Sequence, residues 1–151
     1  MFSMNDLDNI NEELKPLKEL ADRELRSIYG LTGLLYTPHI DAYNLVAVKK
    51  AKILQHLKKA ELMPLSEVET VSTKLMALHR RAKNHQIVEH QGHSYKCVFA
   101  PLTLSKTGKI VRKWVKYWLR MLPNGKIDRA WESQVREVWP ENFLIKRSDY
   151  E

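Results

Sequence analysis

From residue 6 to residue 28, Leu7, Ile10, Leu14, Leu17, Ala21, Leu25 and Ile28 recur at spacings of three or four, with charged residues between them. That stripe predicts an amphipathic helix. Pro16 predicts a kink or a division within it, and Gly30 a stop. The stripe either packs on its own domain or pairs two copies of the chain through Leu7, Ile10, Leu14 and Leu17. Residues 31–40, with Gly33 and Pro38, read as a loop. Asp41 stands where a helix cap is wanted, and residues 42–60 carry Leu45, Val46, Ile53, Leu54 and Leu57 on a second helical stripe. A short helical segment over 64–71 follows, with Leu65 and Val68 inward. Ser72 or Thr73 then caps a third helix running to about Lys83.

Beyond Asn84 the pattern changes period. Residues 86–90 and 94–99 are rich in β-formers and flank Gln91-Gly92-His93, a hairpin signal. Over 109–122 the spacing reads as helical. Lys109, Arg112, Lys113, Lys116 and Arg120 fall on one face, and Ile110, Val111, Trp114, Val115, Trp118, Met121 and Leu122 on the other. A strand would mix Arg112, Trp114, Lys116 and Trp118 on one face, which favours the helix. Asn124-Gly125 leaves a hairpin over 117–130 as the alternative. Asp128 caps a last helix to about Trp139, with Trp131, Val135 and Val138 inward and Glu132–Arg136 as an i,i+4 pair. The fold class expected is α+β and mainly helical. It comprises an N-terminal arm (1–38), a basic central domain (39–104) and a tryptophan-rich helical extension (105–151) packed on the core.

Length and composition constrain this picture without redirecting it. The chain has 151 residues, 44% of them hydrophobic and 28% charged, enough for one ordinary domain with an appended arm. No apolar run approaches the ~18 residues of a membrane span. The opening residues are acidic, without the basic and apolar regions of a secretory signal, so a cytoplasmic location is expected. The single cysteine, Cys97, excludes an intramolecular disulfide. Its strand-like flanks predict a buried thiol.

Charge changes the picture more. Between Ser72 and Lys126 there are twelve Lys or Arg residues and one acidic residue, Glu89, whereas residues 1–38 carry four basic and seven acidic side chains. The net charge of +7 is therefore concentrated in the middle and C-terminal third. Such a field attracts polyanions and releases their counterions on binding.

Element order sharpens the expectation. Ile53-Leu54-Gln55-His56-Leu57 followed by Pro64-Leu65-Ser66-Glu67-Val68 resembles the opening two helices of the winged helix-turn-helix superfamily. Residues 72–83 resemble its recognition helix, and Ile87-Val88-Glu89-His90 leading into Gly92 and Tyr95 resembles its first wing strand and tip. The resemblance covers about residues 45–99. Advancing 100° per residue places Val71, Leu75, Leu78 and Ala82 on the core side of a helix over 72–83. Thr73, Ala77, Arg80 and Asn84 then face outward. Arg and Asn can read guanine and adenine edges, and Ala or Thr the thymine methyl. Lys74, Arg81 and Lys83 reach phosphates. The wing brings Gln91, His93 and Lys96 to the backbone, and the strip Lys109, Arg112, Lys113, Lys116 and Arg120 adds further phosphate contacts. The expected function is sequence-specific double-stranded DNA binding, as a small transcriptional regulator or replication accessory factor, with two copies paired on a two-fold site. A solvated basic face with no ligand is the plain alternative.

No catalytic constellation is present: no phosphate-binding glycine loop, no nucleophile elbow, no H-E-x-x-H, and no carboxylate pair in the basic region. No enzyme activity and no cofactor are expected. His90-x2-His93-x3-Cys97 has the look of a metal site, but a hairpin places Cys97 well down the return strand from the two histidines, so no metal is expected. A basic amphipathic helix can lie on an anionic membrane, but the tryptophans serve better as core. The rival reading is a protein-binding inhibitor or adaptor, of the kind viral and plasmid anti-defence proteins exemplify, using its basic face on an acidic partner. A third is RNA binding, which requires Trp114 and Trp118 to be exposed for stacking.

Overall fold

In the computed structural model the described residues are 1–32 and 35–149; Gly33 and Leu34 of the expected loop lie outside them. They form an α+β structure of four α-helices and a four-stranded mixed sheet, divided into two compact units at Pro64/Leu65. The division falls elsewhere than residues 38 and 104, because each unit closes its own core.

The first unit is a helical hairpin of α1 (Met4–Ile28) and α2 (Pro38–Lys59). Ser3 and Asp6 form a reciprocal capping box at the start of α1. The helix runs unbroken through Pro16, so the expected division is absent. Helix α2 begins three residues before the expected cap, because Pro38 suits the first turn. The Glu24 carboxylate caps it by accepting from the backbone N–H groups of His39 (3.2 Å) and Ile40 (3.1 Å). Leu7 and Ile10, with Leu14 and Leu17 beside them, pack on Val46, Ile53, Leu54 and Leu57 of α2. The stripe offered for pairing two copies thus has its partner within the chain.

The second unit begins with α3 (Glu67–Leu78), a single helix across the place where two were expected. A capping box between Ser66 and Glu69 starts it. Ser72 and Thr73, read as caps, are interior: Ser72 is buried, and the Thr73 hydroxyl donates back to the Glu69 carbonyl at 2.8 Å. No turn separates a positioning helix from a recognition helix.

The hairpin of β1 (Ile87–His90) and β2 (His93–Leu104) is as expected, with His90 opposite His93 and positive φ at Gln91 and Gly92. Residues 109–122, expected as a helix, instead give β3 (Val111–Met121), antiparallel to β2. Its face does mix cations with tryptophans, the pattern held against a strand. The mixture is tolerated because the helices cover only half of the strand, and because the one cation within that half is held by aromatic rings. The 117–130 alternative survives only as a Met121–Ile127 bridge around the Asn124-Gly125 turn. Asp128 caps α4 (Arg129–Val138) as expected, with Trp131, Val135 and Val138 buried. Glu132, however, pairs with Arg129, while Arg136 lies 4.3 Å over the Phe143 ring. A 3-10 turn (Pro140–Phe143) leads to β4 (Lys146–Arg147), which joins β2 in parallel at Thr103 and Leu104. The core of this unit is Val68, Val71 and Leu75 of α3, Tyr95, Cys97, Trp118 and Leu119 of the sheet, and Trp131 and Val135 of α4.

Candidate nucleic-acid interface

Strands β2 and β3 are 12 and 11 residues long, but β1 has only 4 and pairs solely with residues 93–96. Helices α3 and α4 cover the half of β2–β3 that contains Tyr95, Cys97, Trp118 and Leu119. Past Phe99 and Lys116 the β2–β3 pair continues beyond β1 as a ribbon, with Pro101 opposite Trp114 and Thr103 opposite Lys113, and the two-residue β4 flanks its β2 edge at Thr103 and Leu104. Register shifts beside Thr103 bend and twist it. Buried Ser105 closes its tip: its N–H donates to the Ile110 carbonyl (2.7 Å), its hydroxyl accepts from the Ile110 N–H (3.2 Å), and its carbonyl accepts from the Gly108 N–H (2.9 Å). Gly108 has φ +80°, and a Cβ there would stand 3.1 Å from the Arg147 guanidinium. The glycine thus allows both the turn and the close seat of β4.

No Asp or Glu occurs from residue 90 to residue 127. Lys106, Lys109, Arg112 and Lys113 on the ribbon, with Lys146 and Arg147 of β4 beside it, are all exposed. Among the described residues no carboxylate pairs with any of them. Trp114, opposite Pro101 where the ribbon begins, is 55% exposed. It was expected in the core with Trp118, which is 1% exposed and does lie there.

The residues expected to bind nucleic acid fall in several places. Lys109, Arg112 and Lys113 belong to the ribbon. Lys116 is a helix cap: its ammonium donates to the His79 (3.2 Å) and Arg80 (3.1 Å) carbonyls at the end of α3. Arg120 is a core tie, donating to Glu67 (2.7 Å) and to the Tyr95 hydroxyl (3.0 Å) while stacking 4.1 Å over the Trp131 ring. Burial pulls its pKa down, but the bonds to Glu67 and Tyr95 outweigh that and raise it above the ordinary guanidinium value. Thr73, Ala77, Arg80 and Asn84 do not share a helical face, because α3 ends at Leu78. The Asn84 side-chain oxygen accepts the Phe99 N–H at 2.9 Å, fastening the chain to β2. Lys74 is exposed on α3, and Arg81 and Lys83 in the turn after it.

Gln91 and His93 sit at the β1–β2 tip, with Lys96 just inside the strand and opposite Ile87 and Leu119. From Ser94 to Leu104 is ten residues, roughly 33 Å of strand, so the tip and the ribbon loop are opposite ends of one sheet. Lys106, Lys146 and Arg147 escaped the sequence reading. The acid-free run from 90 to 127 was the available signal for Lys106, but the pairing of β4 with β2 has no local signature.

A cavity of about 280 Å³ adjoins this region, partly open to solvent. Its wall takes Ser72 and Met76 from α3, Lys116, Tyr117 and Trp118 from β3, and Trp139 after α4. The Ser72 hydroxyl and the Trp118 indole N–H are buried without a hydrogen-bond partner. Each such group costs about 1–3 kcal/mol. The other buried indole, Trp131, donates to the Trp118 carbonyl at 3.3 Å. Burial raises the Tyr117 pKa, Arg136 lowers it and Glu132 raises it, for a net upward shift. Burial also raises the Cys97 thiol against the lowering field of Lys116. Among the described residues no group of three His, Cys, Asp or Glu side chains converges on a metal-sized space, and no helix is long and apolar enough to cross a membrane. Compared with protein-family models, curated proteins and solved structures, the chain matches none.

Proposed function

We propose that the protein binds double-stranded DNA without catalysing a reaction, gripping the duplex with the distal β2–β3 ribbon. The observation that carries this reading is the set of six exposed cations at one end of the sheet without a carboxylate partner among the described residues, four of them in a stretch that has no Asp or Glu. Arg112 offers the fork that pairs with guanine O6 and N7, and Lys106, Lys109, Lys146 and Arg147 neutralise phosphates on either side. The partner anticipated from the winged-helix resemblance is kept, but the contact surface moves from α3 to the ribbon. Exposed Trp114 favours a second reading, a single strand whose bases stack on its indole.

The test is fluorescence anisotropy with labelled random duplex and single-stranded pools between about 50 and 200 mM salt. Log affinity should fall linearly with log salt. The Arg112→Ala/Lys113→Ala pair should flatten the slope by about two, near one per lost cation. Stronger binding to single strands would select the second reading. An unchanged slope in the pair would remove the ribbon from the interface. No binding at low salt would leave an acidic protein as the partner of this surface.

A further inference from the structure

Strand β3 pairs with β2 along one edge, and its other edge is the longest open one in the sheet, since β1 has four residues and β4 two. The register shows which backbone groups face that open edge. The Cys97 N–H donates to the Gln86 carbonyl (2.8 Å) and the Cys97 carbonyl accepts from the His85 N–H (2.8 Å), both away from β3. Its partner Trp118 therefore turns its own N–H and C=O away from β2, and the alternation repeats at every second residue. Two of the outward carbonyls are taken: that of Arg120 by the Asp128 N–H (2.9 Å) and that of Trp118 by the Trp131 indole (3.3 Å). Farther along, the Phe99 N–H points to Asn84 and Pro101 has no N–H, so their partners Lys116 and Trp114 also face outward. Among the described residues no backbone hydrogen bond meets the outward N–H or C=O of either.

The cavity of about 280 Å³ stands at the end of this edge. Lys116, Tyr117 and Trp118 alternate between the two faces of β3, yet all three line it, and no residue of β2 does. It therefore lies against the outer edge of the strand, facing Thr73 and Met76 of α3 and Asn142. An open strand edge with a side-chain pocket beside it is how extended peptides are bound: main-chain bonds give affinity and the pocket gives selectivity. Charge selects the peptide. Arg112 and Lys113 are exposed at the open edge, in a stretch without Asp or Glu from residue 90 to 127. Opposite charges on adjacent strands attract, and like charges repel. A second copy of the chain is disfavoured for that reason, because antiparallel pairing about Trp114 would set Arg112 of one chain against Lys116 of the other.

We propose that the outer edge of β3 at Trp114–Lys116 takes an extended acidic peptide as an added strand, with one of its side chains in the adjoining cavity. The site uses the backbone of β3 and stands independently of the nucleic-acid reading.

The experiment uses the full chain and three fluorescein-labelled octapeptides at low salt. The first alternates Glu with Val, the second alternates Lys with Val, and the third is the Glu peptide with alternate amides N-methylated. N-methylation keeps the charge but removes the N–H groups that strand addition requires. By anisotropy the Glu peptide should bind, the Lys peptide should not, and the N-methylated form should be weaker by about tenfold or more. Bound Glu peptide should also slow amide hydrogen exchange at Trp114 and Lys116, read residue by residue by NMR. Trp114→Pro deletes one outward N–H without touching the β2 ladder. It should weaken the Glu peptide by about tenfold, and Trp114→Ala by about threefold at most. Equal binding of the N-methylated peptide, with exchange unchanged, would reduce the contact to charge alone and overturn the added strand. No binding of the Glu peptide would overturn the proposal outright. A dimer in sedimentation equilibrium that Trp114→Pro abolishes would give the edge to a second copy and overturn the acidic peptide. The N-methylated peptide tests the protein unaltered, so the result does not depend on either variant folding.

Discussion

Strand β3 has two halves made from the same residue types, and they do opposite things. In the half beneath the helices, Trp118 is enclosed and Arg120 is tied to Glu67, Tyr95 and the Trp131 ring. In the half beyond them, Trp114 stands in solvent and Arg112 has no partner among the described residues. Trp114, Trp118 and Arg120 lie on one face of the strand, and Arg112 stands just beyond them at the register shift beside Thr103. Lys116 is the border, its ammonium spent on the His79 and Arg80 carbonyls just past α3, where the helical cover ends. Residue chemistry alone therefore assigns no role here. The length of α3 and α4 against the length of the sheet decides which tryptophan is core and which arginine is available.

The comparison breaks most visibly at the two tryptophans. Trp118→Ala should lower the unfolding free energy by about 3–5 kcal/mol, the usual cost of a large aromatic cavity. Trp114→Ala should stay within about 0.5 kcal/mol, as an exposed substitution does. Urea unfolding followed by circular dichroism measures both, and comparable losses would mean that the ribbon packs against something in solution. Iodide should quench Trp114 while sparing Trp118 and Trp131, which single-tryptophan variants would resolve.

The arginines give the next largest contrast. Arg120→Ala removes a cation–π contact and two hydrogen-bond partners, and should cost about 1–3 kcal/mol. The share due to Glu67 is small, because that carboxylate is largely exposed and screened. Glu67→Gln should therefore cost much less than Arg120→Ala. Equal losses in the two would shift the weight from the aromatic cage to the ion pair.

The same border explains what could be read from the chain. The α1 stripe, the β1–β2 hairpin with its Gln91-Gly92 turn, and α4 behind Asp128 each carry a local signal, a period or a cap, and each is present in the fold. Residues 109–122 carry two periods at once. The cations fit a helical face, but alternation also fits once half of the strand is free of cover, and only tertiary contacts choose between them. The expected division at Ser72 failed for a similar reason. Ser66 with Glu69 is an equally valid capping box six residues earlier, and the buried side of Val68, Val71 and Leu75 makes one helix of the whole segment. The basic field itself was legible from composition, but its concentration at one end of the sheet was not. It depends on β4 reaching β2 from some forty residues downstream.

Under the helices the covered half also titrates, and the direction is fixed by burial. Cys97 and Tyr117 both have folded pKa values raised above those of the open chain. For such a group the stabilising contribution is complete below the unfolded pKa and is lost as pH rises through the folded one. Stability should therefore be level up to about pH 8.5, the ordinary thiol value, and decline above it, with tyrosine adding to the decline from about pH 10. Cys97→Val, which removes the thiol at similar volume, should flatten the first part of that decline in urea titrations between pH 7.5 and 10. A rise in stability over this range would reverse the assigned direction. The thiol should also resist alkylation until the protein unfolds, since the reactive thiolate is disfavoured and Cys97 is fully buried.

The smallest expected effect sharpens the comparison most. Arg112→Ala/Lys113→Ala should change stability by less than about 0.5 kcal/mol. The sign should be slightly favourable at low salt, because two mutually repelling cations leave a chain of net charge +7. That small gain should vanish by about 0.5 M salt, where the screening length is shorter than the spacing of surface charges. A structural role for these side chains would instead give a loss that salt does not remove. Cations that repel one another, lack carboxylate partners and contribute nothing to folding remain free to meet an external polyanion. The same pair that flattens the salt slope of DNA binding should therefore leave the fold intact, which Arg120→Ala, nominally the removal of one more cation from the same strand, should not.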